Sequence, residues 1–252
     1  ENVVVYDRGS FVQVIDSSQL GQGTTWSFCE APDGTVWAAA AKGLVRWKDG
    51  KATLISTKDG LPASRLRSVC LDRDGSLWIG TNGGGLVRMR DGRFTSFTTK
   101  TGFPGDQVIS VLPDPRGGVW ATTSGEGLAR VEGDGVRVFG TADGLPVDQL
   151  TALAFDDAGD LWIGTWGKGV CRMRDGVFSS IGGPPLSDDK VWSILPDREG
   201  FVWIGTWVGG LNRLRDRRFP VIGAAEGLSH DNVRSVLHAR DGSVWLATAG
   251  GG

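Results

Sequence analysis

The sequence predicts an all-β chain, a six-bladed β-propeller of four-stranded antiparallel blades. Three observations carry this: a tryptophan that returns six times, four short apolar runs in each repeat, and turn dipeptides between the runs. Trp37, Trp78, Trp120, Trp162, Trp203 and Trp245 are spaced 41, 42, 42, 41 and 42 residues apart. The text around them recurs in register, as in Ser76-Leu-Trp-Ile-Gly-Thr, Asp160-Leu-Trp-Ile-Gly-Thr and Phe201-Val-Trp-Ile-Gly-Thr. A period just above forty residues, filled with strands of about five, describes propeller blades.

In the second repeat the strands are expected at 66–71, 77–81, 86–89 and 94–98. Asp74-Gly75 separates the first two and Asp91-Gly92 the last two. Both are expected to form primed hairpin turns, because glycine takes the positive φ such turns demand. Alternation puts Trp78 and Gly80 on one face of the second strand, with Leu77, Ile79 and Thr81 on the other. The indole is expected to fill the space between neighbouring blades, with the glycine relieving crowding beside it, so the repeated Trp is scaffold.

The boundaries follow from the same register. The chain reads as one domain, 1–252, with blades near 24–60, 64–101, 106–143, 148–183, 189–224 and 231–252. The last repeat stops after its second strand, while Val3-Val-Val-Tyr-Asp-Arg-Gly-Ser-Phe-Val resembles the hairpin Leu86-Val-Arg-Met-Arg-Asp-Gly-Arg-Phe-Thr. Residues 1–16 are therefore expected to supply the outer two strands of the sixth blade, which leaves no unpaired edge; the alternative is a section of a longer array. The chain opens within a strand-like pattern, so it is expected to be a processed or excised piece.

Composition agrees with this and excludes several classes. The 40 glycines in 252 residues, against an average near 7%, imply many tight turns. Eleven Trp beside a single Tyr ask for a position that selects Trp repeatedly. A net charge of −2 gives no reason to bind nucleic acid or an anionic membrane. No run is long enough to span a bilayer. Cys29, Cys70 and Cys171 form an odd set without C-x-x-C spacing, and are read as buried thiols.

Gly60-Leu-Pro-Ala-Ser-Arg-Leu-Arg-Ser-Val, Leu71-Asp-Arg-Asp-Gly-Ser-Leu-Trp-Ile-Gly-Thr and Gly84-Gly-Leu-Val-Arg together resemble the two-component regulator propeller repeat. Gly144-Leu-Pro-Val-Asp and Val191-Trp-Ser-Ile-Leu-Pro-Asp are equally close to it. The resemblance implies a sensor portion of a bacterial hybrid histidine kinase, periplasmic or otherwise extracytoplasmic, and in some branches responsive to carbohydrate. It implies downstream signalling domains or a protein partner, and no catalysis in the propeller itself. The family's larger, often paired propellers and its kinase are not in this chain, and fold likeness alone does not fix function.

A binding site is expected where the repeats vary. The loops between second and third strands carry Trp166 and Trp207 in the fourth and fifth repeats, where the others have small or polar residues. Flat indoles suit the apolar face of a sugar ring, and Lys168 is the polar neighbour of Trp166. Near the start of the first strand, Trp26, Arg67, Ile109, Thr151, Trp192 and Arg234 occupy equivalent positions. Trp26 and Trp192 extend the aromatic set, and Arg67 and Arg234 offer guanidinium groups to an anionic ligand. The competing expectation is an Arg stacked on Trp, with the loop Trp folded over the next blade.

A third ring, Ser64, Asp106, Asp148, Asp189 and Asp231 with Gly23, is expected to close turns through backbone N–H groups rather than to bind metal. Neither a metal nor a cofactor is expected. His230 and His238 stand in no Ser-His-Asp or H-E-x-x-H pattern. The leading expectation is a sensor that binds a small molecule or oligosaccharide at its loop face. The alternatives are a protein-interaction scaffold and, behind it, a calcium-dependent propeller hydrolase.

Overall fold

The computed structural model describes residues 3–7, 10–15, 24–184, 186–214, 221–238 and 244–249. Two compact units make up the chain: Glu1–Ala121 with Arg130–Val136, and Thr122–Ala129 with Arg137–Gly252.

In the first unit β1 (Val3–Asp7) and β2 (Ser10–Ile15) form an antiparallel pair, the hairpin that the N-terminal sequence predicts. The first four-stranded sheet follows with β3 (Thr25–Glu30), β4 (Val36–Ala40), β5 (Gly43–Lys48) and β6 (Lys51–Ile55). The second has β7 (Leu66–Leu71), β8 (Leu77–Thr81), β9 (Leu86–Arg90) and β10 (Arg93–Phe97). A third sheet has β11 (Val108–Pro113), β12 (Val119–Thr123), β13 (Leu128–Glu132) and β14 (Gly135–Phe139).

The second unit holds β15 (Leu150–Phe155), β16 (Leu161–Thr165), β17 (Val170–Arg174) and β18 (Val177–Ile181) as one sheet. Another comprises β19 (Val191–Pro196), β20 (Val202–Thr206), β21 (Leu211–Leu214) and β22 (Val221–Ile222). The pair β23 (Val233–His238) and β24 (Val244–Thr248) ends the described chain. Every sheet runs in sequence order, so each repeat folds as a local meander. Among the described residues five repeats carry four strands and the sixth carries its first two, as the spacing predicts.

One of the two expected turns takes the predicted form. Asp91 and Gly92 both have positive φ, 50° and 73°, between paired Arg90 and Arg93. This is the primed two-residue turn. Asp74-Gly75 does not form one: among its residues only Gly75 has positive φ. Asp72 builds a longer loop there instead. Its Oδ1 accepts the N–H groups of Asp74 and Ser76, and its Oδ2 accepts the Trp78 indole N–H at 2.7 Å. Asp114 and Trp120 (2.9 Å), Asp156 and Trp162 (2.8 Å), and Asp197 and Trp203 (2.7 Å) repeat the pairing. One carboxylate thus closes the turn and fixes the indole that packs the blade.

That indole is scaffold, as expected. Trp78 and Trp120 are 2% exposed and Trp162 is 4% exposed. Within the second unit Trp162 packs with Leu186, Val191, Ile194 and Ile204 of the following repeat. Within the first, Trp37 packs against Leu61, Val69 and Ile79. Burying an indole of roughly 150–250 Å² is worth about 4–6 kcal/mol of gross transfer free energy, as an upper bound. The role of Gly80 differs from the expectation. A Cβ there would collide with Ser68 Oγ and stand 3.0 Å from Val108 Cγ1, so the crowding comes from first strands and not from the Trp.

Candidate functional site

The loops that carry Trp166 and Trp207 are held from beneath by a buried threonine. Thr165 Oγ1 donates to the Gly169 carbonyl at 2.7 Å and accepts the Lys168 N–H at 3.0 Å. Thr206 does the same with Gly210 and Gly209, at 2.8 and 3.1 Å. Gly169 is obligatory: its φ is 68°, and a Cβ would collide with the Ile181 carbonyl. Both loops are then tied to the crossover that enters β19. Gly167 and Gly169 donate to the Asp189 carbonyl at 3.0 and 2.9 Å, and Trp207 donates to the Lys190 carbonyl at 2.9 Å. These loops and this crossover therefore share one end of their blades, the arrangement expected of a binding face.

Trp192 arrives from β19 by a different device. The ladder of β19 with β20 shifts between Val191 and Ser193, leaving Trp192 as the extra residue of a bulge. The same shift falls at Trp26 in β3, Arg67 in β7 and Arg234 in β23. In β15 it falls across Thr151, whose Oγ1 donates to the Val191 carbonyl at 2.7 Å. A bulged residue leaves the ladder and its side chain is re-aimed. This explains why the position varies so widely in sequence.

Three of the expected site residues come together in the second unit. Trp166 and Trp192 meet edge to face with centroids 5.3 Å apart. Trp166 and Trp207 do so at 5.5 Å, and Trp192 and Trp207 are tilted at 5.5 Å. All three are half-buried, so each retains some surface. Packing of the loop indoles is thus against one another, and each pair contributes about 0.5–1.5 kcal/mol beyond burial. The indole N–H of Trp192 is buried and finds no acceptor among the described residues.

Two lysines and two carboxylates flank this trio. Lys190, which the sequence reading did not single out, is exposed and places its Nζ 5.4 Å from the centre of the Trp166 ring. Lys168 is exposed at the tip of the Trp166 loop. The nearby acids are occupied by backbone. Asp188 accepts the N–H groups of Lys190 and Val208, and Asp189 accepts that of Gly183. The crossover is pinned by Asn212, fully buried, which accepts the Ser187 N–H and donates to its Oγ at 2.7 Å. Asn212 was legible in principle, since the equivalent residues Val45, Val87, Ala129 and Cys171 are apolar.

The remaining expected residues lie elsewhere. Trp26, 47% exposed, and Arg67 belong to the first unit, where the guanidinium stacks 4.7 Å from the indole centre, the competing expectation for that Arg. Arg234 is exposed on β23. The carboxylate ring closes turns, as expected. Asp106, Asp148 and Asp231 accept the N–H groups of Thr99, Thr141 and Ala224. His230 accepts the Asn232 N–H at 2.9 Å. Gly23 and the His238 side chain fall outside the described residues. The three cysteines are free thiols; Cys70 and Cys171 are buried as expected, whereas Cys29 is only partly buried on its exposed first strand. Burial pushes Cys29 up to about 12 and Cys171 up to about 11, and raises Cys70 further. Among the described residues no group of three His, Cys, Asp or Glu is placed to hold a metal. No helix among them is long and apolar enough to cross a membrane.

Comparison with known proteins agrees with the fold. The family described as two component regulator propeller matches at 60–83, 144–167 and 185–208. The last two of these segments include Trp166, Lys190, Trp192 and Trp207. No curated protein matches the chain in sequence. Among solved structures, one described as the extracellular domain of the hybrid two component system BT3049 from B. thetaiotaomicron superposes with a TM-score of 0.77. It is 19% identical, over 89% of this chain and 32% of its own. The extracellular domain of BT4673, from the same organism, gives 0.76 at 20% identity, over 93% of this chain and 35% of its own. Virginiamycin B lyase from Staphylococcus aureus gives 0.71 at 17% identity, over 88% of this chain and 76% of its own. The chain therefore has a β-propeller fold and spans about a third of the length of the two extracellular domains.

Proposed function

Because this chain carries two component regulator propeller repeats, we propose that it is the ligand-recognition module of a bacterial signalling protein, working outside the cytoplasm on a carbohydrate or similar polar molecule. The observation that carries this reading is the trio Trp166, Trp192 and Trp207. Three half-buried indoles held in mutual contact by loops and a bulge form a rigid aromatic surface. Such a surface stacks against the C–H face of a pyranose at low entropic cost, because the side chains are already ordered. Its neighbours supply hydrogen bonds that orient the ring. Arg67 with Trp26 in the first unit, and Arg234 in the second, are each proposed as separate contacts for anionic groups. Recognition passes to a downstream domain or protein partner only if the ligand prefers one of two states.

Residues 1–16 are proposed to complete the sixth blade as its outer strands. Trp245, 42% exposed on its two-stranded sheet, is the scaffold indole that such completion would cover.

A thermal-shift screen of oligosaccharides and polar metabolites tests the reading. Stabilisation by a saccharide that is lost in the Trp166→Ala/Trp207→Ala double variant supports it. If no small molecule stabilises the fold and the double variant alters only protein pull-downs, the module is a protein-interaction scaffold.

A further inference from the structure

We infer that the ligand of this aromatic surface is an anionic saccharide, with its carboxylate or sulfate held by Lys190 beside Trp166. The inference rests on the reading of the trio as a ligand platform and adds the charge class of what binds there.

Lys190 is the charged group beside the trio that lacks an ion-pair partner among the described residues. Beside the trio the accessible charged donor is the Lys190 ammonium, over the Trp166 ring, and Lys168 is exposed at the tip of the Trp166 loop. The acceptors nearest in the chain are engaged. Both oxygens of Asp188 take backbone N–H groups, and Asp189 closes the turn at Gly183. Among the described residues neither lysine has a carboxylate within ion-pair distance, whereas Lys48, Arg88, Arg130 and Arg174 each do. A ligand that pairs Lys190 brings an acceptor and negative charge.

Placement makes the ammonium specific to this site. The Lys190 backbone is fixed on both sides, its N–H to Asp188 and its carbonyl to Trp207, so the side chain starts from a defined point beside the indoles. Its four-carbon stem lets the ammonium leave the Trp166 face and follow an anion while a sugar ring stacks on the cluster. Lys190 is exposed, so its pairing with an anion is screened by salt.

The test is calorimetric titration of the intact chain with tetragalacturonate and a chondroitin sulfate hexasaccharide, each beside its carboxyl-reduced and desulfated neutral counterpart. The expected result is that at least one acidic oligosaccharide binds about tenfold more tightly than its neutral counterpart, with the preference fading as salt is raised. Lys190→Met removes the preference and Lys190→Arg restores it, with the near-ultraviolet dichroism of the trio unchanged in both. Equal binding of acidic and neutral sugars, abolished by Trp166→Ala but indifferent to Lys190→Met, overturns the inference and leaves the platform standing. Binding of neutral sugars alone also overturns it. Failure of every saccharide of either charge removes both the inference and the platform reading.

Discussion

Trp192 meets Trp166 edge to face, with ring centroids 5.3 Å apart and planes inclined at 75°. The two residues reach this contact from different repeats, one through a β-bulge and the other through a loop pinned by a buried threonine. The platform therefore depends on Trp192 even if a ligand touches only the loop indoles. Trp192→Ala is expected to remove two aromatic pairs and lower stability by about 1–3 kcal/mol. It should also abolish the trio's contribution to the near-ultraviolet dichroism. Urea unfolding and dichroism of the variant check both.

The pairing of Asp156 with Trp162 yields a second prediction. Asp156→Ala strips the acceptor from the N–H groups of Ala158 and Asp160 and from the Trp162 indole. A loss of about 1–3 kcal/mol is expected, because a buried indole N–H is left unpaired. The first repeat offers a contrast. Its turn has the same backbone bonds, Ala31 with Thr35 and Gly34 with Ala31, but the residue six before Trp37 is Ala31. There Asp33 accepts the Thr35 N–H instead, so Ala31→Asp should add like charge beside it and bring no gain, read as an unchanged or lowered urea midpoint.

The thiols predict a pH dependence. Burial raises Cys29 to about 12 and Cys171 to about 11 from an ordinary 9.0, so folding favours their neutral forms. Their contribution to stability is complete below pH 9 and is lost as pH rises toward the folded values. A thiol-reactive dye at pH 8 should label the native protein slowly and the urea-unfolded protein quickly. Thermal midpoints should fall between pH 9 and 11. Rapid labelling of the native state would contradict the burial.

Completion of the sixth blade is testable by crosslinking. By the register of β8 with β9, where Ile79 faces Val87, the equivalent pair is Leu246 with Val4. Val4→Cys with Leu246→Cys should oxidise to an intramolecular disulfide that is absent from either single variant, read as a two-dalton mass loss and faster electrophoretic migration.

The fold was legible because its signal repeats. The spacing of Trp78 and its equivalents set the blades, and Asp91-Gly92 announced its turn. Asp74-Gly75 misled, because Asp72, two residues earlier, offers its own carboxylate to the turn; an Asp six residues before Trp in four repeats was the available clue. Trp166 and Trp207 were legible as breaks in the repeat. Trp192 was legible as a variable position, but its contact with them was not, since a bulge changes side-chain direction without leaving a sequence mark. Lys190 escaped notice because the equivalent residues, Arg65, Gln107, Gln149 and Asn232, are polar too. Only the structure sets it over the Trp166 ring.

Oxidative footprinting of the eleven tryptophans, read by mass spectrometry with and without the most stabilising saccharide, tests the platform most directly. The account predicts protection confined to Trp166, Trp192 and Trp207, with Trp26 and Trp245 oxidised equally in both states. Protection at Trp26 alone, or equal oxidation of the trio under saturating ligand, would contradict it.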